Sequence, residues 1–274
     1  NAEDGTFHMT PEQATVLADE ESPVYMAGGF YGLESIYANQ PKLSDAFRTG
    51  EGVGWGEHSS CFYCGTEKFF RPLYRANLVP EWLPALDGVV EKLEAGATVA
   101  DVGCGHGVST LLMAEAFPDS QFHGFDFHAP SIERARELAT EAGVENVTFE
   151  VAAAKEYRGE GYDLVACFDC LHDMGDPVGA TAHVRETLAE DGTWLIVEPM
   201  AGDSLEDNLN PVGRVYYGAS TVICVPTSLD QEVGMALGAQ AGEARLREVV
   251  TSGGFTRFRR ATETPFNMIL EARP

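Results

Sequence analysis

Basic residues are scarce in this chain: 18 Lys and Arg stand against 43 Asp and Glu in 274 residues, a formal net charge of −25. That balance argues against a nucleic-acid partner, which needs a basic face to displace counterions. Its plain meaning is a soluble, self-repelling surface. Long apolar runs are missing as well; nothing approaches the roughly eighteen consecutive apolar residues of a membrane-crossing helix, so no membrane partner is expected. The first residues are acidic and polar, without the basic and apolar regions of an export signal, and a cytoplasmic setting is expected. No initiator Met is present, so a trimmed chain or a fragment is expected. Cysteine is limited to Cys61, Cys64, Cys104, Cys167, Cys170 and Cys224, read as thiols. Cys61-x-x-Cys64 and Cys167-x-x-Cys170 have the spacing of a four-thiolate zinc site. Cys167 lies in an apolar, strand-like run far from the first pair, so small buried side chains are the favoured reading and no metal is expected.

What the chain does have is one punctuated stretch, Val99-Ala100-Asp101-Val102-Gly103-Cys104-Gly105-His106-Gly107-Val108-Ser109. An apolar run ends in an acid and three alternate glycines, and a helical segment follows. Glycine there lets a ligand approach the backbone, because a Cβ would clash or forbid positive φ. The spacing is neither the dinucleotide fingerprint nor a P-loop, and no lysine follows to hold a phosphate. Asp101 would repel a phosphate. A cationic or zwitterionic ligand is expected.

From Thr98 onward strands and helices alternate, the pattern of a doubly wound α/β domain. Strands are expected at 98–102, 121–125, 147–152, 162–168, 193–197, 255–261 and 266–272. Helices are expected at 109–117, 131–142, 177–188 and 243–252. Residues 23–97 read as a helical lobe rich in aromatics, interrupted by a glycine-rich loop at 50–58. Residues 199–242 read as an insertion over the strand ends, a lid or dimer contact. Near the start, Thr10 is a helix N-cap with Pro11 at N1 and Gln13 completing a capping box.

The run Asp101, Gly103, Gly105, Gly107 resembles the first motif of class I S-adenosylmethionine (SAM)-dependent methyltransferases. The resemblance implies a Rossmann-like α/β sheet of seven strands with the helical lobe in front of it. It implies SAM as cofactor and S-adenosylhomocysteine (SAH) as product. Asp101, Gly103, Cys104, Gly105 and Gly107 would cradle the amino-acid part, with Asp101 favouring its ammonium directly or through water. Asp126, ending the second strand, would accept the ribose hydroxyls, with Phe127 on the adenine. After the third strand the family often has an acid; here Ala153 and Ala154 would offer backbone groups instead. The turn after the fourth strand, Phe168-Asp169-Cys170, would close the site from the other side.

Cys170-Leu171-His172-Asp173-Met174 resembles the L-H-D-[W] segment of small-molecule O-methyltransferases, with Met174 at the Trp position. The resemblance implies His172 as general base, oriented by Glu198 at the end of the next strand. A hydroxyl needs such a base, and an imidazole titrates in the right range. A short strand running into Thr10-Pro11-Glu12 and its helix resembles the exit of the winged-helix dimerisation domain of those enzymes, so residues 1–22 would be its remnant and a homodimer is expected. Trp55, His58 and Tyr63 are candidates for the wall of a pocket taking a small, flat or apolar acceptor. Two other readings stay open: a SAM-sensing regulator, and a metalloid methyltransferase assisted by Cys61, Cys64, Cys167 or Cys170.

Overall fold

The computed structural model describes residues 3–274, and the expectation for residues 1 and 2 lies outside them. Seven strands form one sheet, β1 (Thr98–Val102), β2 (Gln121–Asp126), β3 (Val147–Val151), β4 (Tyr162–Phe168), β5 (Leu188–Pro199), β6 (Arg257–Glu263) and β7 (Asn267–Arg273). Their order is β3-β2-β1-β4-β5-β7-β6. The first five are parallel, and β7 runs antiparallel between β5 and β6.

Period-two alternation places the core on both faces of this sheet. In β4, Leu164, Ala166 and Phe168 join one core with Trp82, Leu93, Val99, Met113 and Leu195. Val165 and Cys167 join the opposite core with Trp194, Ile196, Leu246 and Leu270. The helical lobe holds α1 (Pro11–Leu17), α2 (Gly28–Ala38), α3 (Gln40–Thr49), α4 (Ser60–Asn77) and α5 (Val89–Ala95), of which α4 and α5 send Tyr74, Val89 and Leu93 into the first core. Between and after the strands come α6 (Val108–Ala116), α7 (Ala129–Ala142), α8 (Pro177–Thr187), α9 (Pro211–Ala219), α10 (Val225–Leu229) and α11 (Gly242–Ser252).

Local chemistry accounts for the helix starts. The Thr10 hydroxyl accepts from Gln13 N, and the Gln13 side chain accepts from Thr10 N, closing the capping box. Asp176 accepts from Gly179 N at 2.8 Å, with Pro177 opening α8. Three expectations need correction. Among the described residues no strand precedes α1, because no neighbouring strand offers residues 5–9 a ladder. β5 begins five residues early, at Leu188 rather than Thr193, because Leu188 pairs with Tyr162 on β4. Cys61 and Cys64, read as small buried side chains, are exposed because α4 turns Phe62 and Gly65 inward instead, whereas Cys167 is buried within the sheet.

Gly107 shows why the glycine turn tolerates no side chain at its end. Its φ is +76°, and a Cβ would lie 2.6 Å from the Phe149 ring and 3.1 Å from Ala135. Gly107→Ala is expected to cost about 2–4 kcal/mol, from the left-handed backbone plus overpacking. A urea titration should show a lowered midpoint at unchanged slope, and an unmoved midpoint would refute the packing argument.

Candidate active site

The carboxyl ends of β1, β2 and β4 open into a cavity of about 440 Å³. Its floor is the glycine turn after β1. Gly103 and Gly105 have φ of +78° and +54°. A Cβ on Gly103 would meet Cys170 Sγ at 2.7 Å, while over Gly105 there is open space to 4 Å. The first glycine is therefore demanded by packing, and the second leaves room for a ligand against the backbone.

Asp126 organises the turn from the neighbouring strand. One carboxylate oxygen accepts from Gly105 N at 2.9 Å and the other from His128 N at 2.8 Å. Each oxygen keeps a lone pair for a hydroxyl in the cavity, whose wall Asp126 forms. Burial raises its carboxyl above the usual range despite those two bonds. Phe127, half exposed at 51%, and Ala153 and Ala154 continue this wall. Phe168 and Cys104 border it too.

Asp101 is placed differently from the expectation. It is fully buried beneath the turn, and its Oδ2 accepts from the Ser109 and Thr110 hydroxyls at 2.6 and 2.7 Å. Burial holds its carboxyl up at about 6, and its Oδ1 has no hydrogen-bond partner among the described residues. Ser109 reaches the cavity wall and Asp101 does not, so any influence of Asp101 on a ligand passes through that hydroxyl. Gly107 is likewise absent from the wall, being packed on Phe149.

The roof comes from α4 and the loop before it. Trp55 and Tyr63 border the cavity as expected. Tyr63 lies against His128, ring centroids 4.5 Å apart. Glu67 meets His106 of the glycine turn at 2.7 Å and also pairs with Arg71. His58 does not border the cavity. It is buried, its Nδ1 2.9 Å from Asn39 Nδ2 and its ring stacked on Phe62 at 4.3 Å. Burial, with a smaller push from the Lys42 charge, lowers its pKa to about 4.

That depression has a stability consequence of definite sign. The unfolded imidazole titrates near 6.5, so between about pH 6.5 and pH 4 the unfolded chain binds the proton that folded His58 refuses. Its stabilising effect is complete above pH 6.5 and is lost as pH falls through that window. In His58→Gln the unfolding free energy should fall less steeply with acid over the same range, as read by urea unfolding at several pH values. Equal slopes would sink the assignment.

At the inner end, His172 and Glu198 come together as the sequence suggests. His172 Nδ1 is 2.6 Å from Glu198 Oε2, and Glu198 Oε1 accepts from Leu171 N at 3.0 Å. Both side chains are buried, and the wall itself is made by Asp173, whose Oδ1 lies 3.1 Å from His172 Nε2. Burial disfavours the imidazolium, yet the Asp173 and Glu198 charges outweigh it and hold His172 well above its ordinary range.

The turn after β4, Phe168-Asp169-Cys170, borders the cavity, and sequence reasoning missed further wall residues in the insertion. Asp169, with φ +50°, accepts from Tyr74 Oη and Asn267 Nδ2, both at 2.8 Å. Burial, reinforced by the Glu198 charge, raises it to about 7. Its place in the turn was legible, but its partners, 95 and 98 positions away, were not. Thr227, Gln231 and Glu232 show that the insertion does reach the cavity, as helices and turns rather than strands. Gln231 donates to Asp173 O and accepts from Gly175 N, fastening the His172 loop.

A family model described as a methyltransferase domain matches residues 93–242. The ubiquinone biosynthesis O-methyltransferase of Bordetella avium is 32% identical over 133 residues, covering 47% of this chain and 52% of that protein. The protein of the same name from Leptothrix cholodnii is 30% identical over 153 residues, covering 55% of this chain and 63% of that one. The chain thus spans about half to two-thirds of these relatives' lengths. Among solved structures, an O-methyltransferase family protein from Burkholderia thailandensis superposes with a TM-score of 0.71 at 18% identity, over 97% of this chain and 77% of that one. Human N-acetylserotonin methyltransferase, in complex with SAM, superposes at 0.67 with 17% identity, over 96% and 74%. At such identities the likeness is one of fold.

Proposed function

Because this chain belongs to the methyltransferase-domain family, we propose that it transfers a methyl group from SAM to a hydroxyl of a small organic molecule. One observation carries the cofactor. The cavity wall is rich in carboxylates, and its two basic side chains are already paired, Lys155 with Asp176 and Glu232, His106 with Glu67. Among the described residues a polyphosphate finds no free cation there, whereas a ligand carrying ammonium and sulfonium charge is welcome. The open space over Gly105 and the Ser109 hydroxyl on the cavity wall, backed by Asp101, fit the amino-acid end of that ligand. Asp126 would take the ribose hydroxyls, with Phe127, Ala153 and Ala154 beside the adenine.

SAM supplies a methyl group already activated by positive sulfur. The protein's tasks are to exclude water, align the acceptor and take its proton. Trp55, Tyr63, Phe70 and Tyr74 make an apolar roof that suits a flat or apolar acceptor. His172, oriented by Glu198, is the proton acceptor in this reading: the acceptor hydroxyl takes the place of Asp173 at Nε2. The acidic surface and closed ion pairs favour this enzyme over a DNA-binding SAM sensor. Self-association fits the exposed Phe30, Leu33 and Tyr37 of α2.

Isothermal titration with SAH tests the cofactor directly. Saturable binding at one site per chain is expected; no heat at millimolar ligand would sink the reading.

A further inference from the structure

We propose that His172, Asp173 and Cys224 form a three-ligand site for a thiophilic divalent cation of the zinc type. One donor atom from each lies within 4.8 Å of the others, an imidazole nitrogen, a carboxylate oxygen and a thiol sulfur. This mixed N, O, S set suits zinc, and three protein ligands with one open position is the arrangement of an accessible zinc site.

Three independent features support it. First, the outer shell is in place: Glu198 engages His172 Nδ1 at 2.6 Å and is itself fixed by Leu171 N, which leaves Nε2 facing the other two donors. A carboxylate behind a ligating histidine sets its tautomer and orientation in the same way. Second, Asp173 Oδ1 already lies 3.1 Å from His172 Nε2, and its residue borders the cavity. That brings two of the three donors together and supplies an entry path. Third, Cys224 ends a π-helical turn, Ser220–Cys224, a rare irregularity that re-aims side chains and recurs at functional positions.

The cluster is also held as a unit. Gln231 donates to Asp173 O, Ser228 Oγ to Met174 O, and Gly238 N to His172 O, so the segment carrying Cys224 is tied to the loop carrying the other two ligands. A cation there would occupy His172 Nε2, the atom that the proposed proton transfer needs. That consequence rests on the reading of His172 as base; the site itself does not. Metal and acceptor proton would then compete for one lone pair, and zinc would act as a brake.

Cobalt(II) gives a direct readout, because thiolate ligation produces charge-transfer absorption in the near ultraviolet. The full chain is used in a Cys61→Ser, Cys64→Ser background, which removes the exposed thiols, after treatment with a chelator. The expected result is a band that saturates at one equivalent, is bleached by zinc, and disappears in Cys224→Ser. Asp173→Asn should weaken cobalt binding by more than about 10-fold. No band, or a band that survives Cys224→Ser, overturns the site. SAH titration of the same preparations separates the two readings: retained SAH binding without cobalt binding rejects the metal site alone, and lost SAH binding in the cobalt-competent background chain rejects the methyltransferase reading alone. Cys224→Ala repeats the test, and SAH binding by either variant reports that it is folded.

Discussion

Replacing His172 with alanine is expected to slow methyl transfer by about 10²–10⁴-fold, while SAH binds as it does to the unaltered chain. The expectation follows from position. His172 lies behind the inner wall with Nδ1 on Glu198 and Nε2 toward Asp173, and it touches none of the surface assigned to the cofactor. Alanine also leaves the Glu198 carboxylate buried without its partner, which is destabilising in itself. His172→Gln is the companion variant, since its amide can still donate to Glu198 but cannot accept a proton near neutrality. Transfer of labelled methyl from SAM to a panel of phenols and catechols measures the rate, and SAH calorimetry measures the cofactor. Full turnover in both variants would remove the base from the mechanism and leave the cofactor assignment standing.

The same residue dictates a pH dependence. Burial lowers the imidazole's pKa, but the Asp173 and Glu198 charges outweigh that and raise it above its ordinary value, favouring the protonated ring. Activity should rise with pH along a limb displaced to the alkaline side of about 6.5. Asp173→Asn removes one of the two charges and should move that limb toward lower pH. A limb that stays in place would mean that another group accepts the proton.

The second large effect concerns Asp126. Asp126→Ala is expected to weaken SAH binding by about 100-fold or more, equivalent to at least roughly 3 kcal/mol. Two losses combine: the acceptor for the ribose hydroxyls, and the two backbone bonds that shape the glycine turn, from Gly105 N and His128 N. Hydrogen bonds to a charged group each contribute about 1.5–3 kcal/mol, so losing the turn alone approaches the expected effect. Asp126→Asn keeps one acceptor oxygen and should fall between. Unchanged affinity in Asp126→Ala would show that the turn holds its shape without the carboxylate and that no ribose sits there.

Much of this was written locally. The period-two runs of β1 and β4, the glycine spacing and the Thr10 capping box are short-range signals, because strand faces, positive φ and helix caps depend on residues a few positions apart. Asp126 and Glu198 were legible for a related reason: in an open parallel sheet the residue ending each strand faces the same crevice, so strand ends predict site positions without coordinates. Local signals also explain the errors. The run before Thr10 looks extended, but a strand needs a ladder, and none lies beside it. His58 and Asp101 have the right chemistry for a wall, yet packing turned one toward Asn39 and Phe62 and set the other beneath Ser109.

The sequence alone determined the class of ligand and the order of strand ends around it. Those follow from backbone sterics and charge, which act between near neighbours. Only the tertiary structure decided which side chains share the inner end of the cavity. Tyr74 reaches Asp169 from the lobe, Asn267 reaches it from β7, and Cys224 comes to His172 from the insertion. Such meetings depend on how helices and loops close over the sheet, a long-range packing outcome that no spacing in the chain encodes.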